Sequence, residues 1–96
     1  MAAGGETFAV RMRDHSMAPR FNAGEWLFVD PDEPAVPGRF VAIEDPAGGG
    51  RTVREMAMVG GRRVLRALDA DWPEIVVNGD NETMILGTVV FWGGLP

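Results

Sequence analysis

The stretch that decides the fold is RFVAIEDPAGGGRTVREMAMVGGRRVLRAL, residues 39–68. Three runs rich in β-branched and apolar residues are separated there by the glycine-rich segment 45–50 and then by Gly60 and Gly61. A glycine-rich connection between two such runs is the sequence sign of a β-hairpin. The stretch therefore predicts three consecutive antiparallel strands, at 39–44, 51–59 and 62–68.

The rest of the chain continues this pattern of short runs and turns. Phe8, Val10 and Met12 alternate with residues of the opposite face, which predicts a first strand that ends near Arg13. Further strands are predicted at 26–30, 74–78 and 83–92, because turns with proline, glycine or asparagine separate these runs. No long amphipathic helix pattern is present. Seven or so short strands predict an all-β fold, either a β-sandwich or a partly open barrel.

Length and composition limit the kind of protein. A chain of 96 residues, 46% hydrophobic and 24% charged, is expected to form one folded domain, at 7–96, after a flexible N-terminal segment at 1–6. The net charge of -5 argues against direct binding of nucleic acid, since that affinity comes from Lys and Arg. We expect a cytoplasmic protein with no membrane contact, because no signal peptide or spanning segment is present.

The sequence predicts no metal and no small-molecule cofactor. Cysteine is absent, and so are the phosphate-loop, dinucleotide and zinc-protease motifs. Ser16 is the one serine in the chain, in a turn that is predicted to follow the first strand. Its neighbour His15 is a poor base for it, since adjacent side chains diverge. The residues alone therefore indicate a soluble all-β domain and assign no activity to it.

A set of blocks in order along the chain resembles a known family. They are RDHSMAP (13–19), FNAGEWLFVDP (21–31), PGRFVAIED (37–45), TVREM (52–56), VLRALDADWPEIVV (64–77) and ILGTVVFW (85–92). Together they resemble the serine-peptidase-type C-terminal domain of LexA-like and phage-type repressors, a fold shared with the UmuD proteins and type I signal peptidases. The similarity runs from about Phe8 to Trp92. It implies a LexA/signal-peptidase-like fold of short, mostly antiparallel strands.

The resemblance also implies a catalytic site with one departure. Ser16 matches the family's nucleophile, and the backbone of Met17 would lie near a candidate oxyanion hole. The family's general base is a lysine, whose position is held here by Arg54, 38 residues after the serine. Burial lowers the pKa of a lysine enough to make a neutral amine, whereas a guanidinium stays protonated and has no lone pair. Arg54 is therefore expected to bind Ser16 without deprotonating it.

Other features of this region leave the interpretation open. The family has Gly-Asp or Gly-Asn where this chain has Asp14 and His15, a change at the turn that builds the oxyanion hole. The residues alone do not decide whether Arg54 turns toward Ser16 or pairs with Glu44 across the hairpin. Self-cleaving relatives present an Ala-Gly bond, but the pair at 3–4 is not assigned as a cleavage site.

The preferred function is a dimerisation or regulatory domain of a LexA-like or phage-type repressor that lacks peptidase activity. The DNA-binding domain would lie outside this chain. A homodimer is expected, because the apolar last run would otherwise be left at a sheet edge. The alternative is an active serine peptidase whose base is a water, Glu55 or Glu44. A third possibility, an unrelated small β-barrel that binds a ligand, would place Ser16 and Arg54 far apart.

Overall fold

The computed structural model describes residues 6–93. These residues form seven strands: β1 (Phe8–Arg11), β2 (Trp26–Asp30), β3 (Phe40–Glu44), β4 (Arg51–Val59), β5 (Arg62–Arg66), β6 (Ile75–Val76) and β7 (Ile85–Gly93). A single 3-10 turn, Glu82–Met84, precedes β7. The predicted flexible segment at 1–6 falls, but for its last residue, outside the described residues, and so does the Ala-Gly pair at 3–4.

The strands form one antiparallel sheet in the order β1-β2-β7-β3-β4-β5-β6. The sheet curls into a half-barrel, which brings β1 against β4. The all-β prediction is confirmed, and the curled sheet corresponds to the partly open barrel. Both hairpins predicted from 39–68 are present: Phe40 lies opposite Glu55 in β3 and β4, and Glu55 lies opposite Arg66 in β4 and β5.

Several strand ends differ from the prediction. β1 ends at Arg11, β6 has two residues, and the run predicted from residue 83 begins with the 3-10 turn. The side chain of Asn81 donates to the carbonyl of Val76 at 2.8 Å, and Asn78 Oδ1 accepts from the backbone N–H of Asp80 at 2.8 Å. Asparagine side chains thus bond the backbone between β6 and β7 and compete with the strand ladder there.

The expectation that the last run lies at a sheet edge is wrong. β7 lies between β2 and β3, and it pairs with β2 along its C-terminal part and with β3 along its N-terminal part. With nine residues, β7 is long enough to pair with both neighbouring strands along different parts of its length. The free edges in the described part of the sheet belong to β1 and β6. An apolar edge at β7 therefore gives no argument for a dimer.

Apolar side chains cover both faces of the sheet, as the alternation along β3 makes clear. Ala42 belongs to a first core cluster, and its neighbours Val41 and Ile43 belong to a second one. The first cluster also takes in Met17 and Phe21 from the turn after β1, so packing fixes the turn that carries Ser16. No helix within residues 6–93 is long and apolar enough to cross a bilayer.

Candidate functional site: a buried serine and arginine

Ser16 lies in the turn between β1 and β2 and is completely buried. Its carbonyl accepts the backbone N–H groups of Leu68 at 2.9 Å and Asp69 at 3.0 Å. These bonds tie the turn to the loop between β5 and β6. Met17, the next residue, is also completely buried, and its carbonyl accepts from the backbone N–H of Phe21 at 2.9 Å. The serine is therefore held in place on both sides by backbone bonds and core packing.

Arg54 is in the middle of β4, opposite Val41 of β3, and only 4% of it is exposed. Its Nη1 donates to Ser16 Oγ at 2.9 Å. The side chain thus turns toward the serine, and the alternative pairing with Glu44 is wrong, because Glu44 accepts from Arg51 Nε at 3.4 Å. The contact also rules out the unrelated barrel in which Ser16 and Arg54 lie far apart.

Arg54 Nη1 has more acceptors than hydrogens. Besides Ser16 Oγ, it lies 3.0 Å from Thr52 Oγ1 and 2.8 Å from the carbonyl oxygen of Val53. A guanidinium Nη carries two hydrogens, so one of them is shared between acceptors, whereas an ammonium carries three. The three oxygens around Nη1 would match an ammonium one to one. The oxygens around this nitrogen therefore require three donated hydrogens, which is the number that a lysine ammonium carries.

Asp14 completes the contacts of the serine. Its Oδ1 accepts from Ser16 Oγ at 2.5 Å and from the backbone N–H of Ser16 at 3.0 Å. The hydroxyl therefore donates its hydrogen to Asp14 and accepts a hydrogen from Arg54. Asp14 was not predicted from the sequence as a partner of Ser16. An aspartate two residues before a serine in a turn is a known pattern for such bonds, so the signal was present.

Burial and charge act in opposite directions on Arg54. Burial lowers the pKa of its guanidinium below the ordinary value, and the carboxylates of Asp14 and Asp45 oppose that shift. The guanidinium also lies 5.3 Å from the centre of the Trp72 ring, a cation–π contact from the loop between β5 and β6. Because the pKa of an arginine starts above about 12, this site keeps Arg54 protonated near neutral pH.

The arrangement binds the serine hydroxyl but offers it no strong base. The two carboxylates named in the alternative are engaged elsewhere: Glu44 with Arg51, and Glu55 with Arg66 at 3.6 Å. The backbone N–H of Ser16 donates to Asp14, so it is not free to bind an oxyanion. The role predicted for the Met17 backbone stays a prediction. His15 is exposed, as expected of a loop residue.

Thr52 and Trp72 also belong to the site, and neither was predicted from the sequence to lie there. Thr52 is two residues before Arg54 and therefore on the same face of β4, a signal that the strand period could have supplied. Trp72 comes from a loop, and no sequence pattern places it. Across residues 6–93, no group of His, Asp or Glu side chains is positioned to hold a metal ion.

Comparisons with known proteins agree with the resemblance. The family model described as Peptidase S24-like matches residues 1–90. Prophage repressor CohE of Escherichia coli (strain K12) is 33% identical to this chain over 87 residues. That match covers 91% of this chain and 39% of CohE, so the chain spans well under half the length of this relative.

Proposed function

Because the chain belongs to the Peptidase S24-like family, we propose that it is the C-terminal dimerisation and regulatory domain of a LexA-like or phage-type repressor, without peptidase activity. DNA would be bound in the cytoplasm by a separate domain outside this chain, which agrees with the net charge of -5. The similarity to a prophage repressor supports the regulatory role. The observation that carries the proposed inactivity is the contact between Arg54 Nη1 and Ser16 Oγ.

Three features of the site support inactivity. A serine nucleophile needs a group that takes its proton, and Arg54 has no lone pair for that purpose. The hydroxyl hydrogen points to Asp14, in a bond of 2.5 Å, and a carboxylate is a far weaker base than a serine alkoxide. The serine is also fully buried, so a substrate carbonyl would reach it only after the surrounding chain moved. Each feature by itself would slow acylation. In the inactive domain, the contacts of Ser16 and Arg54 would serve only to hold the turn against β4.

The proposed dimer is supported by an apolar surface at the end of β7. Phe91 is 63% accessible, whereas its neighbour Trp92 points to the opposite face of the strand and packs against Phe21. Phe91 packs beside Phe28 of β2, with ring centres 5.6 Å apart, so the surface continues onto the next strand. Contiguous exposed apolar groups on a small domain mark interaction sites. A two-fold partner that covers this surface would remove it from water.

The contact between Asp14 and Ser16 favours a second candidate, an active peptidase with Asp14 as the base. Arg54 would then stabilise the developing alkoxide through its bond of 2.9 Å to Ser16 Oγ. The mismatch in basicity argues against it, because carboxylates hold a proton far less firmly than a serine alkoxide does. We therefore prefer the inactive domain.

Acylation of Ser16 tests both candidates. The chain is incubated with an excess of a small fluorophosphonate at about pH 7 and about pH 10, and adducts are located by intact and peptide mass spectrometry. The inactive domain should behave like its Ser16→Ala variant, with no adduct at residue 16. Serine-dependent labelling that disappears in Asp14→Asn would refute inactivity and establish the Asp14 candidate.

A longer chain gives an independent test that needs no reagent. The parent protein is incubated alone at both pH values, with and without Ser16→Ala. We expect no fragments that depend on Ser16. Arg54→Lys serves as a positive comparison, although the lysine Nζ ends one bond short of Nη1, so any activity that it restores should be slow.

A further inference from the structure

The turn between β6 and β7 contains an asparagine followed by a glycine, Asn78 and Gly79. Both residues are exposed. Neither takes part in the hydrogen bonds that Ser16 and Arg54 make with each other and with their neighbours. The pair is therefore a separate feature of the fold, and nothing in the proposed function uses it.

Backbone N–H groups hold the side-chain oxygen of Asn78. Its Oδ1 accepts from the N–H of Asp80 at 2.8 Å and from the N–H of Asn81 at 3.1 Å. Because Oδ1 is bonded to Cγ, the amide group lies against the main chain of the turn, as is typical of an asparagine that bonds the backbone two residues on. Donors at these distances stabilise the negative charge that forms on a carbonyl oxygen when its carbon is attacked. The side-chain amide is thus polarised for attack at Cγ.

The backbone nitrogen of Gly79 is the nucleophile that can reach this carbon, because a bond between them closes a succinimide ring. Within residues 6–93 its N–H donates to no backbone carbonyl. A Cβ on Gly79 would meet nothing within 4 Å, so the space around the residue is open. Glycine also gives the chain the greatest conformational freedom, which lets the nitrogen approach the side chain before it. No backbone bond in the described turn therefore restrains this nitrogen.

The other two asparagines of the chain lack this combination. Asn22 is followed by an alanine, and its Nδ2 donates to the carbonyl of Pro19 at 3.2 Å. Asn81 is followed by a glutamate, and its Nδ2 donates to the carbonyl of Val76 at 2.8 Å. A side chain on the following residue hinders the approach of the backbone nitrogen, and a hydrogen bond to Nδ2 holds the leaving group. Both therefore serve as internal references for Asn78.

We propose that Asn78 is a site of spontaneous deamidation through a succinimide, with water as the co-reactant. The backbone nitrogen of Gly79 loses its proton to hydroxide and bonds to Asn78 Cγ, while Oδ1 takes the negative charge. The Cγ–Nδ2 bond then breaks, and the nitrogen leaves as ammonia with a proton from water. Water opens the succinimide at either carbonyl, which leaves an aspartate or an isoaspartate at position 78. The inference is independent of whether Ser16 is active.

The two products should affect the sheet differently. An aspartate keeps an acceptor for the N–H groups of Asp80 and Asn81 and adds one negative charge. An isoaspartate lengthens the main chain by a methylene, which displaces the bond from the N–H of Asn78 to Asn81 Oδ1 and that from Asn81 Nδ2 to Val76. β6 is a two-residue strand at an edge of the described sheet. We therefore expect the isoaspartate to release β6 from β5.

Mass spectrometry of the intact chain and of its peptides tests the proposal. The folded chain is kept at neutral and at mildly alkaline pH, and the conversion of amide to acid is followed over time. We expect conversion at residue 78, at a rate that rises with hydroxide, while Asn22 and Asn81 stay intact. Electron-transfer fragmentation should find both aspartate and isoaspartate. Direct hydrolysis gives no isoaspartate, so aspartate alone would overturn the succinimide route.

Variants and a peptide test the contribution of the turn. Gly79→Ala should slow the reaction by about tenfold or more. Gly93→Ala is the matched control, since a Cβ there also meets nothing within 4 Å, and should leave the rate unchanged. The peptide EIVVNGDNET, residues 74–83, lacks the fixed N–H donors, so the folded chain should react at least as fast.

Hydrogen exchange reports on the release of β6. The N–H of Val77 donates to the carbonyl of Arg63 at 2.9 Å and should exchange faster in the isoaspartate fraction than in the unmodified chain. No conversion at residue 78, the same rate in Gly79→Ala, or slower reaction in the folded chain than in the peptide overturns the proposed site. Unchanged exchange at Val77 overturns the predicted release of β6.

Discussion

At the scale of single residues, the site depends on which cation occupies position 54. Lysine and arginine carry the same charge, and both can donate to the oxygens of Ser16 and Thr52. They differ in what burial does to them, since the desolvation that makes a lysine neutral leaves a guanidinium charged. The three oxygens around Nη1 match the three hydrogens of an ammonium better than the two of a guanidinium nitrogen, and only a lysine can become a neutral base. In the inactive domain that we propose, arginine at this position donates to Ser16 but supplies no base.

The pH dependence of stability should separate the two cations. Burial lowers the pKa of Arg54 in the folded state. Its buried charge therefore lowers the free energy of unfolding at every pH below that folded-state pKa, and this destabilisation disappears only as pH rises through it. The pKa of an arginine lies far above neutral, so this destabilisation is constant in ordinary buffers. In Arg54→Lys the same destabilisation should disappear between about pH 7 and 10, because the pKa of an exposed lysine is near 10.4 and burial lowers it.

The measurement is the free energy of unfolding by urea across that range. The value for Arg54→Lys minus the value for the unsubstituted chain should rise with pH. Arg62→Lys, at an exposed position, is the control and should give a flat difference. A flat difference for Arg54→Lys would mean that position 54 does not desolvate its cation.

The bridge from Asp14 through Ser16 to Arg54 predicts energetic coupling. Asp14→Asn should lower the free energy of unfolding by about 1–2 kcal/mol, because the hydroxyl loses an ionised acceptor. Combined with Arg54→Met, the effects should depart from additivity by about 0.5–3 kcal/mol. Asp80→Asn, exposed and remote from the site, provides the control pair and should be additive with Arg54→Met. Additive effects for Asp14 as well would show that the bridge contributes nothing in solution.

At the scale of elements, the central position of β7 depends on close contact with β2. A Cβ placed on Gly87 would lie 2.7 Å from the carbonyl oxygen of Asp30 and 2.8 Å from the Cα of Pro31. Backbone atoms cannot move aside as a flexible side chain can, so glycine is required where β7 passes the end of β2. The sequence run 85–92 has the strand pattern but does not reveal this contact.

Gly87→Ala should therefore destabilise the sheet by about 1–3 kcal/mol. The control is Gly79→Ala, where a Cβ would meet nothing within 4 Å. Thermal unfolding followed by circular dichroism compares the two variants. Equal melting temperatures would show that β7 and β2 lie further apart than this contact requires.

At the scale of the whole molecule, the proposed dimer predicts an association that one apolar residue controls. Phe91→Asp should shift the chain toward monomer in sedimentation velocity, because burial of a charged carboxylate in an apolar interface has a large unfavourable free energy. Met58→Asp is the matched control, because 52% of Met58 is exposed and it lies on β4, a strand that does not pair with β7. A chain that is monomeric at every concentration, or a dimer that Phe91→Asp leaves intact, would contradict the proposed dimer surface.

The fold could be predicted largely from local pattern. Alternation gave the strands, and the glycine-rich segments at 45–50 and 60–61 gave the two hairpins, because adjacent strands joined by tight turns pair through local geometry. The order of the sheet could not be obtained this way. The place of β7 between β2 and β3 depends on contacts between residues far apart in sequence, and no turn signal encodes those.

The sequence by itself determined which residue types the site contains: one serine, no lysine anywhere, and Arg54 where the family keeps its base. That was enough to question catalysis, because the basicity of a side chain is a property of its chemistry. Only the tertiary structure decided that Arg54 turns inward to Ser16 rather than across the hairpin to Glu44, and that Asp14 takes the hydroxyl hydrogen. The direction of a side chain depends on burial and on partners from distant strands and loops, which exist only once the sheet has curled.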